Sequence, residues 1–239
     1  MASKKSAVKS KTREYAEAIV IAVVLALLIR AFVVQAFKIP SGSMLETLQI
    51  GDHILVNKFT YGINIPFTDS RVMVLNQPRR GDIIVFSFPK NKENPECTST
   101  LTNISGRISN VFSSGNPFYL FKDDCRDFIK RVIGVGGDKV QVINKKVYVN
   151  DAELDEPYII HKDPGVEENI RDNFGPFIVP HNSFFVMGDN RDESYDSRFW
   201  GVVELEEIKG RAFIMYWSWN GDGAWYQLVR WNRIGKILH

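Results

Sequence analysis

Cysteine is scarce in this chain of 239 residues: there are two, Cys97 and Cys125. They have neither C-x-x-C spacing nor a nearby histidine pair, which argues against a redox motif and a zinc site. Strong charge of one sign is lacking too. The formal balance is +2, so no global field points to nucleic acid as a partner. Heptads and low-complexity tracts are absent. No G-x-S-x-G elbow occurs, and none of His53, His161, His181 and His239 lies in a motif tied to a serine. The polar run from Asp189 is not a calcium loop, because its sixth position is Ser194 rather than Gly and its twelfth is Trp200 rather than Glu. No metal and no cofactor is expected.

What the chain does have is ordinary globular material. Hydrophobic residues make up 44% and charged residues 24%, enough for one sizeable domain plus a further segment. Basic residues gather at the start, where Lys4, Lys5, Lys9, Lys11 and Arg13 precede any acid. From Ala18 to Ile29 every residue is apolar, and Ala31–Val34 continues the run after Arg30. Ala18–Phe37 is close to the ~20 residues a helix needs to cross a bilayer. Arg30 stands toward the far end, where its stem can snorkel. Basic residues before the run predict a cytoplasmic N-terminus and an exported remainder. Val34-Gln35-Ala36 equally suits the cleavage site of a signal peptide. A buried helix of a soluble protein is the third reading, and the basic lead speaks against it.

Beyond Phe37 short runs rich in Val, Ile and Phe alternate with turns. Gly51-Asp52, Gly81-Asp82 and Gly137-Asp138 each lead into one: His53–Val56, Ile83–Phe88 and Lys139–Ile143. Val140–Ile143 and Val147–Val149 flank Asn144-Lys145-Lys146 as a hairpin. Phe128–Gly134, Phe184–Met187 and Arg211–Trp219 add strands. No long 3.6-period pattern follows, so the domain is expected to be mainly β. Residues 91–127, rich in Ser, Asn and Thr, read as an insertion, and Ile159–Phe177 as a long polar connection. Outside the cytosol Cys97 and Cys125 can pair, a crosslink worth roughly 3–4 kcal/mol. Two buried free thiols are the alternative. Trp217, Trp219, Trp225 and Trp231 suit either the core or a lipid interface.

Ser41-Gly42-Ser43 taken alone suits a flexible linker. Its flanks, Phe37 and Ile39 before and Met44, Leu45 and Leu48 after, carry more apolar surface than a linker needs. A serine in a tight glycine turn against such walls can be a nucleophile if a base is present. Lysine can serve where burial lowers its pKa by roughly 2–3 units from ~10.4. Lys130, in Phe128–Ile133, is the candidate. On alternation Arg131 faces the other way, so either residue could be the buried one, and an ordinary surface lysine is the plain alternative. Gly188–Arg198 reads either as a solvated turn or as a buried set of paired charges, with Asp196 and Arg198 as a pair.

These segments resemble the bacterial type I signal peptidases. Ile39–Met44 with Leu48 and Gly51-Asp52 is similar to the family's nucleophile segment, and Lys58-Phe59 and Tyr61-Gly62 continue it. Arg80–Phe86 follows as a strand, Phe128–Gly134 with Gly137-Asp138 as the lysine segment, and Gly188–Arg198 with Trp200-Gly201 as the last motif. Four motifs in order behind an N-terminal apolar segment make the resemblance specific. It implies an antiparallel β catalytic domain with an inserted second lobe, preceded by one transmembrane helix. Residues 1–15 are then cytoplasmic, 16–37 an uncleaved anchor, and 38–239 an extracytoplasmic peptidase domain with 91–127 and about 144–180 as accessory segments. The resemblance also implies a membrane-bound serine endopeptidase that removes signal peptides after small residues at −3 and −1.

In that reading Ser43 attacks, Lys130 takes its proton, and the Ser43 N–H and Ser41 hydroxyl form the oxyanion hole. Ser194 orients the lysine, while Asp189, Asp196 and Arg198 give structural support. Phe37, Ile39, Met44, Leu48 and Ile129 line the substrate pocket. Partners are preproteins and the lipid bilayer, and the unit is expected to work as a monomer on the outer side of the bacterial cytoplasmic membrane. Val34-Gln35-Ala36 suggests a self-cleavage site. The self-cleaving SOS repressor peptidases share the chemistry, but their DNA-binding module is not visible here. A non-catalytic, membrane-tethered binding domain of the same fold is the alternative function, disfavoured by the presence of both Ser43 and Lys130.

Overall fold

The computed structural model describes residues 11–64, 71–72, 76–88, 127–221, 223 and 227–239. An N-terminal helix, α1, spans Lys11–Phe32 and leads at once into strand β1, Val34–Lys38. There follow β2 (Asp52–Asn57), β3 (Ile63–Asn64), β4 (Arg71–Val72), β5 (Ile83–Ser87) and β6 (Asp127–Val135). Next come β7 (Lys139–Ile143), β8 (Lys146–Val149), β9 (Ala152–Glu153), β10 (Phe174–Ile178) and β11 (Ser183–Met187). A one-turn helix, α2 (Ser197–Trp200), then precedes β12 (Val203–Glu204) and β13 (Ile208–Ser218).

A seven-stranded sheet runs in the order β1-β2-β13-β5-β6-β11-β12, and every neighbouring pair is antiparallel. A four-stranded antiparallel sheet, β10-β7-β8-β9, forms a second lobe. The mainly antiparallel β architecture is therefore as the composition of the runs led one to expect. The second lobe begins at Lys139 rather than at about 144, because β7 supplies its central strand.

Strand β5 explains how the large sheet is covered on both faces. Ile83 and Val85 join a core with Ile39, Met44, Leu48, Ile54 and Met215. Their neighbours Ile84 and Phe86 face the other way and pack with Val132, Val186 and Trp200. A strand wrapped on both sides reads as an unbroken apolar run, and each such side chain contributes about 1.5–3 kcal/mol when fully buried. The hairpin of β7 and β8 lays Val140, Val142, Val147 and Val149 against Ile133, Phe185 and Met187, which docks the second lobe. Its turn is at Asn144 and Lys145, both at positive φ (49° and 70°).

One expectation changes at the N-terminal end. The stretch 16–37 is not one helix: the helix stops at Phe32, and Val34–Lys38 pairs with β2, Ala36 opposite Leu55. The β-branched pair Val33-Val34, followed by alternation, satisfies a strand as well as it extends an apolar count, and pairing with β2 decides. The Ala36–Phe37 bond thus lies inside a laddered strand, so self-cleavage there requires β1 to leave its sheet. Among the described residues no helix is long and apolar enough to cross a membrane. In α1, however, Ile19, Val20, Ile21, Val23, Val24 and Leu25 are each more than half exposed. Cys97 and Cys125, and the insertion apart from Asp127, lie outside the described residues.

Candidate active site

The nucleophile segment is the connection from β1 to β2, and the two strands pin its ends. Ile39 N–H donates to Asp52 O at 2.8 Å, and Gly51 N–H to Ile39 O at 3.0 Å. Asp52 is fully buried and accepts from Arg233 (2.7 Å), Ser218 Oγ (2.6 Å) and Gln49 N–H (2.7 Å). Gly51 has φ +90°, and a Cβ there would run into the carbonyl of Trp219. Only glycine fits this closure of the loop. Inside the loop Met44 and Leu48 are fully buried, so the segment is held by its own apolar side chains. That is what a linker would lack.

Lys130 extends from β6 in the middle of the sheet and is 2% exposed. Its Nζ lies 2.5 Å from Ser43 Oγ, donating to it. Burial pulls its pKa down from 10.5 to about 8, against the pull of Asp196 and Asp189. Each of those carboxylates is gripped by an arginine. Arg198 binds Asp196 through Nε (2.9 Å) and Nη2 (2.9 Å), and Arg131 binds Asp189 through Nε (2.9 Å) and Nη2 (2.7 Å). Paired carboxylates attract the ammonium less, so desolvation prevails. Asp196 keeps its carboxyl ionised although burial opposes this, because Arg198 beside it outweighs the burial.

The question of which basic residue of β6 is buried has a double answer. Arg131 is as buried as Lys130, at 2% exposed. Beyond Asp189 it donates to Gly81 O (2.9 Å), and its guanidinium lies 3.8 Å over the ring of Tyr158. Asp189 also accepts from Thr47 Oγ1 at 2.5 Å. The lysine strand, the last motif and the nucleophile loop thus meet at one carboxylate.

The Gly188–Arg198 run is a buried scaffold rather than a solvated turn. Asp189, Asn190, Arg191, Ser194, Asp196, Ser197 and Arg198 are all buried. Asp196 caps α2 and accepts the Gly188 N–H at 3.1 Å. Asn190 N–H donates to Ser43 O at 3.1 Å, and Asn190 Nδ2 to Gly42 O at 3.0 Å. Arg191 pairs with Glu156 of the second lobe at 2.5 Å. Ser194 Oγ is close enough to Asp196 to help hold its charge, yet it has no hydrogen bond of good geometry to Asp196 or to Lys130. Thr47, Asn190 and Glu156 had no assigned role in the sequence reading. No periodicity or spacing marks them, since their partners are distant in the chain.

The five apolar residues assigned to a substrate pocket do gather. Ile39, Met44, Leu48 and Ile129 belong to one buried cluster, with Phe37 half-buried against it. Met44 and Leu48 offer no surface. Ser41 is exposed beside Ser43. An open cavity of about 590 Å³ lies elsewhere, on the second lobe between Asn144–Val147 and Glu153–Ile159, and touches none of these residues.

The site as built is a serine hydroxyl against a buried lysine. Residues 12–217 match signal peptidase, peptidase S26. The chain belongs to the signal peptidase family. It is accordingly a peptidase. It is 32% identical to the signal peptidase I of Pseudomonas aeruginosa over 94% of this chain and 78% of that one. It is 38% identical to the probable signal peptidase I-2 of Synechocystis, covering 85% and 72% respectively. The signal peptidase I of Aquifex aeolicus is 32% identical over 80% of this chain and 79% of its own.

Proposed function

We propose that this peptidase removes N-terminal signal peptides from exported preproteins, with Ser43 as nucleophile and Lys130 as general base. The observation that carries the reading is the 2.5 Å approach of Lys130 Nζ to Ser43 Oγ in a site where the lysine is 2% exposed. With the amine neutral, the hydrogen bond reverses and Ser43 O–H donates to Nζ. Ser43 Oγ attacks the scissile carbonyl as its proton passes to Lys130. The protonated lysine then returns that proton to the departing amine. Water repeats the sequence on the acyl-enzyme.

The Ser43 N–H and the Ser41 hydroxyl are assigned to the oxyanion, a type of interaction worth about 3–4 kcal/mol per donor. Ser194 is assigned to orienting the lysine. Asp189, Asp196 and Arg198 support the base by cancelling charge around it. Phe37 forms the reachable rim of a shallow apolar pocket, with Ile39, Met44, Leu48 and the almost buried Ile129 as the wall behind. Such a rim suits small side chains at −3 and −1.

Membrane anchoring by the N-terminal segment belongs to the same reading. Its support is the apolar run Ala18–Ile29, the exposed apolar side chains of α1 and the basic lead. Trp231 (72% exposed) and Trp219 (41% exposed) can rest at the lipid interface. The catalytic domain then works as a single copy on the outer side of the cytoplasmic membrane. The test is cleavage of a model preprotein by Ser43→Ala and Lys130→Ala in the full chain. Loss in both, with the fold retained, is expected; activity in either ends the dyad assignment.

A further inference from the structure

The Gly42–Ser43 peptide has its carbonyl on one side and its N–H on the other, as a trans peptide must. Its N–H is the donor assigned above to the oxyanion. Its carbonyl, Gly42 O, is therefore the handle by which the direction of that N–H can be set. Gly42 O accepts two hydrogen bonds, from Leu45 N–H at 3.2 Å and from Asn190 Nδ2 at 3.0 Å.

We propose that Asn190 is a positioning residue for the oxyanion site, whose side-chain amide holds the Gly42–Ser43 peptide plane so that the Ser43 N–H points at the developing charge. The inference rests on the reading of that N–H as an oxyanion donor.

Three features single out Asn190. It grips the nucleophile segment twice, since its own N–H donates to Ser43 O at 3.1 Å while Nδ2 reaches Gly42 O. Holding the two successive carbonyls from one residue restrains rotation of the Gly42–Ser43 peptide plane between them. Its amide orientation is decided by acceptors on both sides: the second Nδ2 proton goes to Glu193 Oε2 at 3.0 Å, so the NH2 end must face Gly42. Among the described residues its buried Oδ1 has no hydrogen-bond partner. A fully buried amide that leaves one acceptor unsatisfied is placed for its donors, not for its own stability. A hydrogen bond to Gly42 O also polarises the peptide and strengthens its N–H as a donor.

Asn190 is itself fixed from behind. Its neighbours on each side pair with the second lobe, Ile160 N–H donating to Asp189 O at 2.9 Å and Arg191 N–H to Ile160 O at 3.1 Å. The plane of the Ser43 N–H is thereby referred to both lobes.

The test uses the full chain with Asn190→Leu and Asn190→Asp, which keep the size of the side chain and remove the donor. Three quantities are read: kcat and KM on a preprotein peptide, affinity for the cleaved product peptide, and affinity for a peptide aldehyde. The aldehyde is attacked by Ser43 Oγ; its carbonyl pair moves to oxygen and the serine proton passes to Lys130, so the adduct carries an oxyanion. Expected in both variants are a fall in kcat of roughly 10–100-fold, an aldehyde affinity weakened by a similar factor and an unchanged product-peptide affinity; the kinetic pKa stays put in Asn190→Leu, whereas the added carboxylate of Asn190→Asp moves it upward. If Asn190→Leu does not fold, Asn190→Asp carries the test. Unchanged aldehyde affinity in folded Asn190 variants, alongside a weakened one in Ser41→Ala, overturns this inference alone. If Ser41→Ala leaves it unchanged too, the oxyanion assignment itself fails. Equal losses of product and aldehyde affinity overturn the positioning role in favour of general damage.

Discussion

Arg131 and Asp189 are joined by two hydrogen bonds, 2.9 and 2.7 Å, at the strand position immediately after the base. Both are almost without exposure. A buried pair of this kind gives little net stability over an apolar pair, but breaking it strands a charge. Asp189→Ala should therefore cost about 3–5 kcal/mol. Thr47→Val, which removes only the hydroxyl's bond to Asp189, should cost about 1 kcal/mol. Denaturant unfolding of the full chain measures both, and equal costs for the two would show that the ion pair is dispensable.

The pH–rate profile should carry the signature of Lys130. Burial holds its pKa near 8, and only the neutral amine can accept a proton. Below that value kcat/KM should climb about tenfold per pH unit and level off above it. Arg198→Met removes the cation that offsets Asp196, so the amine's pKa should rise and the limb should move to higher pH. A limb that stays fixed in Arg198→Met contradicts this electrostatic account.

Lys130 should also be a site where function costs stability. Its folded pKa of about 8 lies below the ordinary 10.5. The unfolded chain binds the extra proton between those values, so stability rises with pH across that window, and the penalty is complete below pH ~8. At 1.36 kcal/mol per unit it amounts to about 3 kcal/mol. Lys130→Met should be inactive yet melt higher than the parent at pH 7, with the gain shrinking toward pH 10.5. Thermal melts at several pH values decide this.

Gly188 lies where the last motif passes under the nucleophile. A Cβ there would overlap the Ser43 carbonyl oxygen and Ser194 Oγ. Gly188→Ala should displace the Ser43 backbone and lower kcat by roughly 10²-fold, as misplacement of a reacting group by about 1 Å can do. Peptide kinetics, with circular dichroism to monitor folding, test it; near-normal kcat would mean that the loop yields without loss.

The strands of the β domain were legible because their signals are local. Gly-Asp turns and Val/Ile/Phe runs mark β2, β5 and β7, and the hairpin of β7 and β8 follows from its turn residues. Strand β1 was not legible, because an apolar run bordering a helix has no local feature that ends it; pairing with β2 ends it. Strand β10 was hidden in a polar, proline-containing stretch, since only its contact with β7 makes it a strand.

The chemistry divides in the same way. Residue types and motif order alone determined the candidates: a serine in a glycine turn, a lysine among apolar neighbours and a charged cluster near the end. Tertiary structure decided that Lys130 meets Ser43, that Arg131 is buried beside it on Asp189, and that Asn190 spans the two carbonyls at Gly42 and Ser43. The reason is physical. A lysine becomes a base only when packing from distant segments removes its water, and a peptide plane is held only by groups that the fold brings to it. Neither condition is written in the neighbours along the chain.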